Sequence, residues 1–333
     1  MEMCAVMLLC ALIATALLFD YLNGFHDSSN IVATMISSRA MRPRQALFLS
    51  ATAHFCAPFL FGVAVATTIG HEIVAEQAIT MSVILAALLS AITWNIITWL
   101  FGIPSSSSHA LIGGLIGAVG MGYGFEMIQI QGLLKVVISL FISPVLGLLT
   151  GYLFTKLVFF LARGASPRIN HFFKRAQILT SLALSLSHGT NDAQKTMGII
   201  TMGLVATGYL QEFKVPWWVI AISAGAIALG TASGGWRIIR TLGGKFYKIR
   251  PVHGFAAQTT SAAVILGAAL LGGPVSTTHV VSSAILGVGS AERLSKVRWG
   301  VAGQIVTAWI VTIPVTVLLG TLFFFLTNTL IAE

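Results

Sequence analysis

The chain has 333 residues, 56% of them hydrophobic and only 9% charged, whereas soluble domains carry roughly 25% charged residues. With a mean hydropathy of +0.90, this composition excludes a water-soluble globular protein. The formal net charge of +9 does not signal nucleic acid, because fifteen of the nineteen basic residues fall in four short separate stretches rather than one patch.

Apolar stretches near 4–22, 44–67, 80–101, 133–161, 216–234 and 300–326 are each long enough to cross a hydrocarbon core, and they predict helices rather than barrel strands. The first is preceded by Met1-Glu2-Met3, with no basic residue, and runs straight into a polar motif, so it reads as a retained helix and not a cleaved signal. Cys4, Cys10 and Cys56 sit inside apolar runs without metal-ligand spacing and are expected to pack. The four basic stretches, 39–44, 163–175, 237–250 and 293–298, are expected in the cytoplasm, and Glu72, Glu76, Glu126 and Glu212 outside.

Two motifs occur twice in the same order. "NGFHDSSN" at 23–30 matches "SHGTNDAQK" at 187–195, with Asp27 over Asp192; "PSSSSH" at 104–109 matches "PVSTTH" at 274–279, and in both copies a glycine follows eight residues after the histidine (Gly117, Gly287). The spacing defines a duplication: a first repeat over 1–161, a cytoplasmic linker over 162–177 rich in Gly, Pro and basic residues, and a second repeat over 178–333. Basic 39–44, 237–250 and 293–298 each map onto a non-basic segment of the other half, so the halves are expected to lie in the membrane in opposite senses, a recurring plan of secondary transporters. An odd number of passes per half then puts both termini outside the cytoplasm. The expected fold is an all-α polytopic membrane protein, with two inverted-topology repeats, discontinuous helices and hydroxyl-tipped re-entrant hairpins.

Ser and Thr that merely hydrogen-bond their own helix are common in membranes, but two copies in register point to a site. Hydroxyls just after a proline favour a helix N-terminus, whose free N–H groups and dipole attract an anion. Two such ends across a pseudo-two-fold axis would cradle a tetrahedral oxyanion. Asp27 and Asp192 are costly inside a membrane and mark a polar pathway. Gly24 and Gly189, close before them, are expected to let the helix break and expose carbonyls. Together with Ser28, Asn30 and Asn191 they would offer oxygen ligands for a hard cation. Lys195 takes the place of Asn30 in the second copy, three residues after Asp192 and on its face of a helix, where its ammonium would stand in for a bound cation and shift coupling toward protons. His26, His109, His188 and His279 fall within the motifs as titratable groups, and Asp20 is a further candidate. His54 reads as a hydrogen-bonded helix residue, and His71, His171 and His253 as loop residues.

These signatures, with "GGWRIIRTLG" at 234–243 and "GFAAQTTSA" at 254–262, resemble the inorganic phosphate transporter (PiT) family over both halves of the chain. The resemblance implies phosphate symport driven by a cation gradient, an inverted-repeat fold and a homodimer in the lipid bilayer. The family's cation motif carries over at Asp27, Asn30, Asn191 and Asp192, and its hydroxyl-rich tips at Ser106, Ser107, Ser108, Ser276, Thr277 and Thr278. His26 and Lys195 replace two asparagines of the pattern, as in the bacterial low-affinity Pit-like branch, described as proton-coupled and able to carry a neutral metal–phosphate complex. The coupling set is therefore Asp27, Asn30, Asn191, Asp192, Lys195, His26, His109 and His279. No resident metal or organic cofactor is expected, only Na+ or a co-transported divalent metal. Partners are phosphate with protons or Na+, and the place is the cell's inner (plasma) membrane.

Three rivals are open. A sulfate permease of the same family would bind an anion that only accepts hydrogen bonds, whereas phosphate keeps a proton and wants an acceptor beside it; a sodium-coupled phosphate symporter would keep the anion and change the ion. An intramembrane hydrolase, suggested by Ser close to His, lacks a Gly-x-Ser-x-Gly elbow and has no use for two symmetric copies. A passive channel does not need discontinuous helices with carboxylates at mid-depth.

Overall fold

The computed structural model describes residues 2–245 and 247–331, which form twelve α-helices and no β-strand. The order is α1 (Glu2–Ser37), α2 (Pro43–Phe61), α3 (Ala64–His71), α4 (Met81–Phe101), α5 (Ser107–Gly122), α6 (Ile130–Leu161), α7 (Ile169–Ala206), α8 (Trp217–Ser233), α9 (Trp236–Gly244), α10 (Pro251–Leu270), α11 (Thr277–Glu292) and α12 (Trp299–Ile331). The second six repeat the first six: α1 corresponds to α7 and α6 to α12. Of 162–177, residues 169–177 are already the first turns of α7.

The helix breaks follow local chemistry. α4 ends where Gly102 takes φ 66, and α10 is followed by Gly272 at φ 70; only glycine adopts this conformation cheaply, and a proline two residues later forbids resumption. Each hairpin therefore turns at its hydroxyl run and restarts as α5 or α11. α2 and α3 meet at 81°, and α8 and α9 at 67°, each pair forming one bent span. The expected breaks at Gly24 and Gly189 are absent: α1 and α7 run through them as continuous helices. These glycines instead admit close helix crossings, Gly24 against the Ile227 carbonyl of α8 and Gly189 against the His54 backbone of α2.

The halves are interleaved. α5 packs on α12 of the other half and α11 on α6, while α1 packs on α8 and α2 on α7. The crossings are tight enough to be tested. A Cβ at Gly230 would overlap the Tyr21 carbonyl on α1, whereas one at Gly225 meets open space. Gly230→Ala is expected to lower stability by about 1–3 kcal/mol through overpacking and to reduce the melting temperature of the solubilised protein, whereas Gly225→Ala should not reduce it.

The lipid-facing sides of α6 and α12 expose Phe141, Leu149, Leu153, Leu318, Leu322 and Phe325. Cys10 and Cys56 are exposed too, so they do not pack as expected; Cys4 lies outside the residues whose side chains are described. The basic stretches gather at one end of the bundle. There Ser38 donates to Gln177 at 2.9 Å and Gln177 to the Pro251 carbonyl at 2.9 Å, while Glu292 pairs with Arg250 at 2.5 Å and Lys296 at 2.8 Å. His253, expected in a loop, is buried in α10 with Nε2 3.2 Å from Glu292. At the opposite end Lys135 pairs with Glu72 at 3.0 Å.

Candidate functional site

Where the middles of α1 and α7 meet the two hairpin tips, polar side chains replace the apolar core. Asp27, Asn30, Asn191, Asp192 and Lys195 are all buried, as are Ser105 to Ser108 and Ser276 to Thr278. At both tips the same cap forms, since Ser106 Oγ accepts from His109 N and Ser276 Oγ from His279 N, each at 3.2 Å. This starts α5 and α11 within the protein and leaves their first-turn N–H groups aimed at the tip. The tips touch: Ser108 Oγ donates to the Val275 carbonyl at 3.1 Å, and the His109 and His279 rings lie 4.5 Å apart.

The carboxylates are served unequally. Thr278 Oγ1 donates to Asp27 Oδ1 at 2.9 Å, and Asn30 Nδ2 donates to the same oxygen at 3.0 Å. Thr277 Oγ1 lies 3.0 Å from Asp192 Oδ2 and 3.3 Å from Asp27 Oδ2. Its single proton serves one carboxylate at a time, so the second tip bridges both aspartates. The first tip reaches Asp27 indirectly: Ser105 and Thr98 hydroxyls are 2.8 Å apart, Thr98 faces His26 Nε2 at 3.4 Å, and His26 Nδ1 faces Asp27 at 3.4 Å. Asn191 Nδ2 donates to the Gly273 carbonyl at 3.3 Å and so anchors the second tip's backbone.

Asp192 is the most crowded group. It pairs with Lys195, whose side chain is fully buried, and His188 Nδ1 stands 2.7 Å from its other oxygen. His188 stacks on His54 at 5.2 Å, and His54 Nδ1 bonds Thr231 at 2.8 Å. Asp27, His188 and Asp192 each offer a ligand atom within 4.8 Å of the others, a mixed oxygen and nitrogen set able to take a cation.

The structure thus unites Asp27, Asn30, Asp192, Lys195, His26, Thr277 and Thr278. It keeps His109 and His279 apart from the carboxylates: their rings turn toward α6 and α12, with Phe141 beside His109 and Trp309 stacked on His279 at 3.9 Å. His54 has its expected hydrogen bond. Its place in a His54–His188–Asp192 row was not readable, because α2 and α7 are distant in sequence. Thr98, in the last turn of the apolar α4, belongs to no motif.

Broken helices, paired inverted hairpins and buried carboxylates at their meeting point define a secondary transporter. Residues 23–320 match the phosphate transporter family, and the chain belongs to it. A probable low-affinity inorganic phosphate transporter of Rhizobium meliloti (strain 1021) is 49% identical over 320 residues, covering 96% of each chain. One of the same description from Bacillus subtilis (strain 168) is 44% identical, covering 95% of this chain and 96% of that one. A solved structure, "The sodium-dependent phosphate transporter", superposes with a TM-score of 0.89 at 24% identity over 97% of this chain and 99% of that one, a likeness of fold. The protein is a multi-pass phosphate transporter and not an enzyme.

Proposed function

We propose that the protein imports inorganic phosphate by symport with protons, across the cell's inner membrane, with both termini on the outer side. The observation that carries this reading is the buried Lys195–Asp192 pair. At this position the first repeat has Asn30, a neutral oxygen ligand beside its own aspartate. A fixed ammonium occupies the charge and the space that a Na+ at Asp192 would take, so that carboxylate has no call for one.

The anion sits at the paired tips, between the N-termini of α5 and α11, held by Ser106, Ser107 and Ser108 on one side and Ser276, Thr277 and Thr278 on the other. The helix dipoles and free N–H groups supply positive potential there. Thr277 turns its hydroxyl from carboxylate to anion, and a protonated phosphate oxygen donates to the acceptor that is released. Sulfate has no such proton, so the same carboxylates would repel it. Asp27, Asn30 and His26 form the first cation station, with Asn191, Asp192 and Lys195 as its altered mirror image. His109 and His279 stiffen the tips as further members of the coupling set. A neutral metal–phosphate complex is an acceptable form of the cargo, since it lowers the charge entering the site. The exposed apolar faces admit a homodimer.

A sodium-coupled reading has one observation in its favour, the convergence of Asp27, His188 and Asp192. Phosphate uptake into proteoliposomes, under an inward proton gradient in sodium-free buffer and with or without excess sulfate, separates the readings. Uptake that collapses with a protonophore and ignores sulfate is expected. A requirement for sodium would transfer coupling to the second reading, and abolition by sulfate would overturn the substrate.

A further inference from the structure

Seven residues before Asp27, about 10 Å along α1 at 1.5 Å per residue, lies Asp20. It is fully buried, and neither carboxylate oxygen has a hydrogen-bond partner. Asn23, one turn further on the same face, is also fully buried with both amide atoms unpartnered. Across the interface on α7 stands Thr196, a polar neighbour of Asp20 whose buried hydroxyl is likewise unpartnered. Among the described residues the two other buried carboxylates both accept hydrogen bonds, Asp27 from Asn30 and Thr278 and Asp192 from Lys195 and Thr277. Asp20 has only the Thr196 hydroxyl as a nearby donor, and not within hydrogen-bonding geometry.

The internal repeat shows that this acid is an addition. The residues matching Asp20 and Asn23 in the second half are Ser185 and His188. Ser185 is self-satisfied, its hydroxyl bonding the Ser181 carbonyl at 2.8 Å. The first half therefore carries one acid that the second lacks, and the second carries Lys195, a base that the first lacks. The charged groups that act on Asp20 are Asp192 and Lys195 from α7, and Asp27 lies seven residues along α1. Of the other helices that pack on α1, α4 and α8 carry no ionisable side chain and α9 carries Arg237 and Arg240. Lys195 is already paired with Asp192. A bare carboxylate at this depth costs several kcal/mol unless a cation joins it, and two carboxylate oxygens, an amide oxygen and a hydroxyl are a hard-cation donor set.

We propose that Asp20, with Asn23 and Thr196, is a second station for the coupling cation, one that holds it before it reaches Asp27. The cation is either a proton on the carboxylate or Na+ among the oxygens. This rests on the symport reading above, and adds to it a site on the outward side of the aspartate pair.

The test compares two phosphate fluxes in proteoliposomes: accumulation driven by a cation gradient, and exchange at equal composition on both sides. A gradient of one pH unit supports about tenfold accumulation per proton carried, since one unit corresponds to a tenfold ratio. Asp20→Asn is expected to lower the ratio of accumulation to exchange about tenfold, and Asp20→Glu to restore most of it. Asn23→Ala, which leaves the charge in place, should lower the ratio partially. Separate arms impose a proton gradient without sodium or a sodium gradient at equal pH, and the arm that Asp20→Asn silences names the ion. A native ratio in both Asp20→Asn and Asn23→Ala would overturn the proposal. So would loss of exchange in both, which would assign these residues to the anion path or to the fold. If the native protein accumulates phosphate under neither gradient, the symport reading fails first and takes this station with it, before any variant is measured.

Discussion

Asp192→Asn is expected to destabilise the folded protein by about 3–5 kcal/mol, the usual consequence of removing one member of a buried ion pair, and to abolish phosphate uptake. Lys195 is fully buried and pairs with Asp192. An asparagine at 192 would strand that ammonium in a membrane interior. With one acceptor oxygen in place of two, asparagine cannot serve both Lys195 and the opposite side, where His188 and Thr277 face the other oxygen at 2.7 Å and 3.0 Å. Asp27→Asn should be milder toward stability, because Asp27 is held by neutral donors, Asn30, Thr277 and Thr278, and not by a fixed cation. The check is thermal melting of the detergent-solubilised protein followed by tryptophan fluorescence, with uptake measured on the same preparations. The double substitution Asp192→Asn with Lys195→Met removes both charges and should recover most of the lost stability without recovering uptake. If Asp192→Asn melted at the native temperature, the Lys195 ammonium would not depend on Asp192 for its burial.

The sequence carries the punctuation of the hairpins openly, since glycine followed two residues later by proline and a hydroxyl run stops one helix and starts the next. The repeat is equally legible, because it preserves motif order and spacing. Which glycines break helices is not. Gly24 and Gly189 resemble Gly62 and Gly234 as letters, but the former pair faces the backbone of another helix while the latter sits at positive φ between two bent segments. Only the packing of α8 on α1 and α2 on α7 distinguishes them. The exchange of partners between halves, α5 on α12 and α11 on α6, is likewise invisible in a linear repeat. Sequence symmetry also overstates the symmetry of the site. The two hydroxyl tips read alike, but Thr277 and Thr278 bond the aspartates directly, while Ser105 reaches Asp27 through Thr98 and His26. The burial of His253 depends on Glu292, a hairpin away in the chain, and so leaves no local pattern.

Lys195→Asn is expected to turn a sodium-indifferent protein into one that sodium stabilises. The substitution reproduces at 195 the residue of the first repeat, and leaves Asp192 facing His188 and Thr277 without its ammonium. The variant alone should therefore be less stable, by the same physics that makes Asp192→Asn costly. A cation that fills the vacated space binds the folded state and not the unfolded one. It should return about 2.7 kcal/mol at a hundred times its dissociation constant. Melting temperature measured against increasing NaCl, with choline chloride at equal ionic strength to remove general screening, should rise for the variant and stay flat for the native protein. Phosphate uptake by the variant should then respond to a sodium gradient and lose its response to a proton gradient. A native protein that sodium stabilises as strongly as the variant would mean that Lys195 leaves the cation site open. The coupling would then belong to the Asp27, His188 and Asp192 cluster, with the lysine serving only to neutralise Asp192.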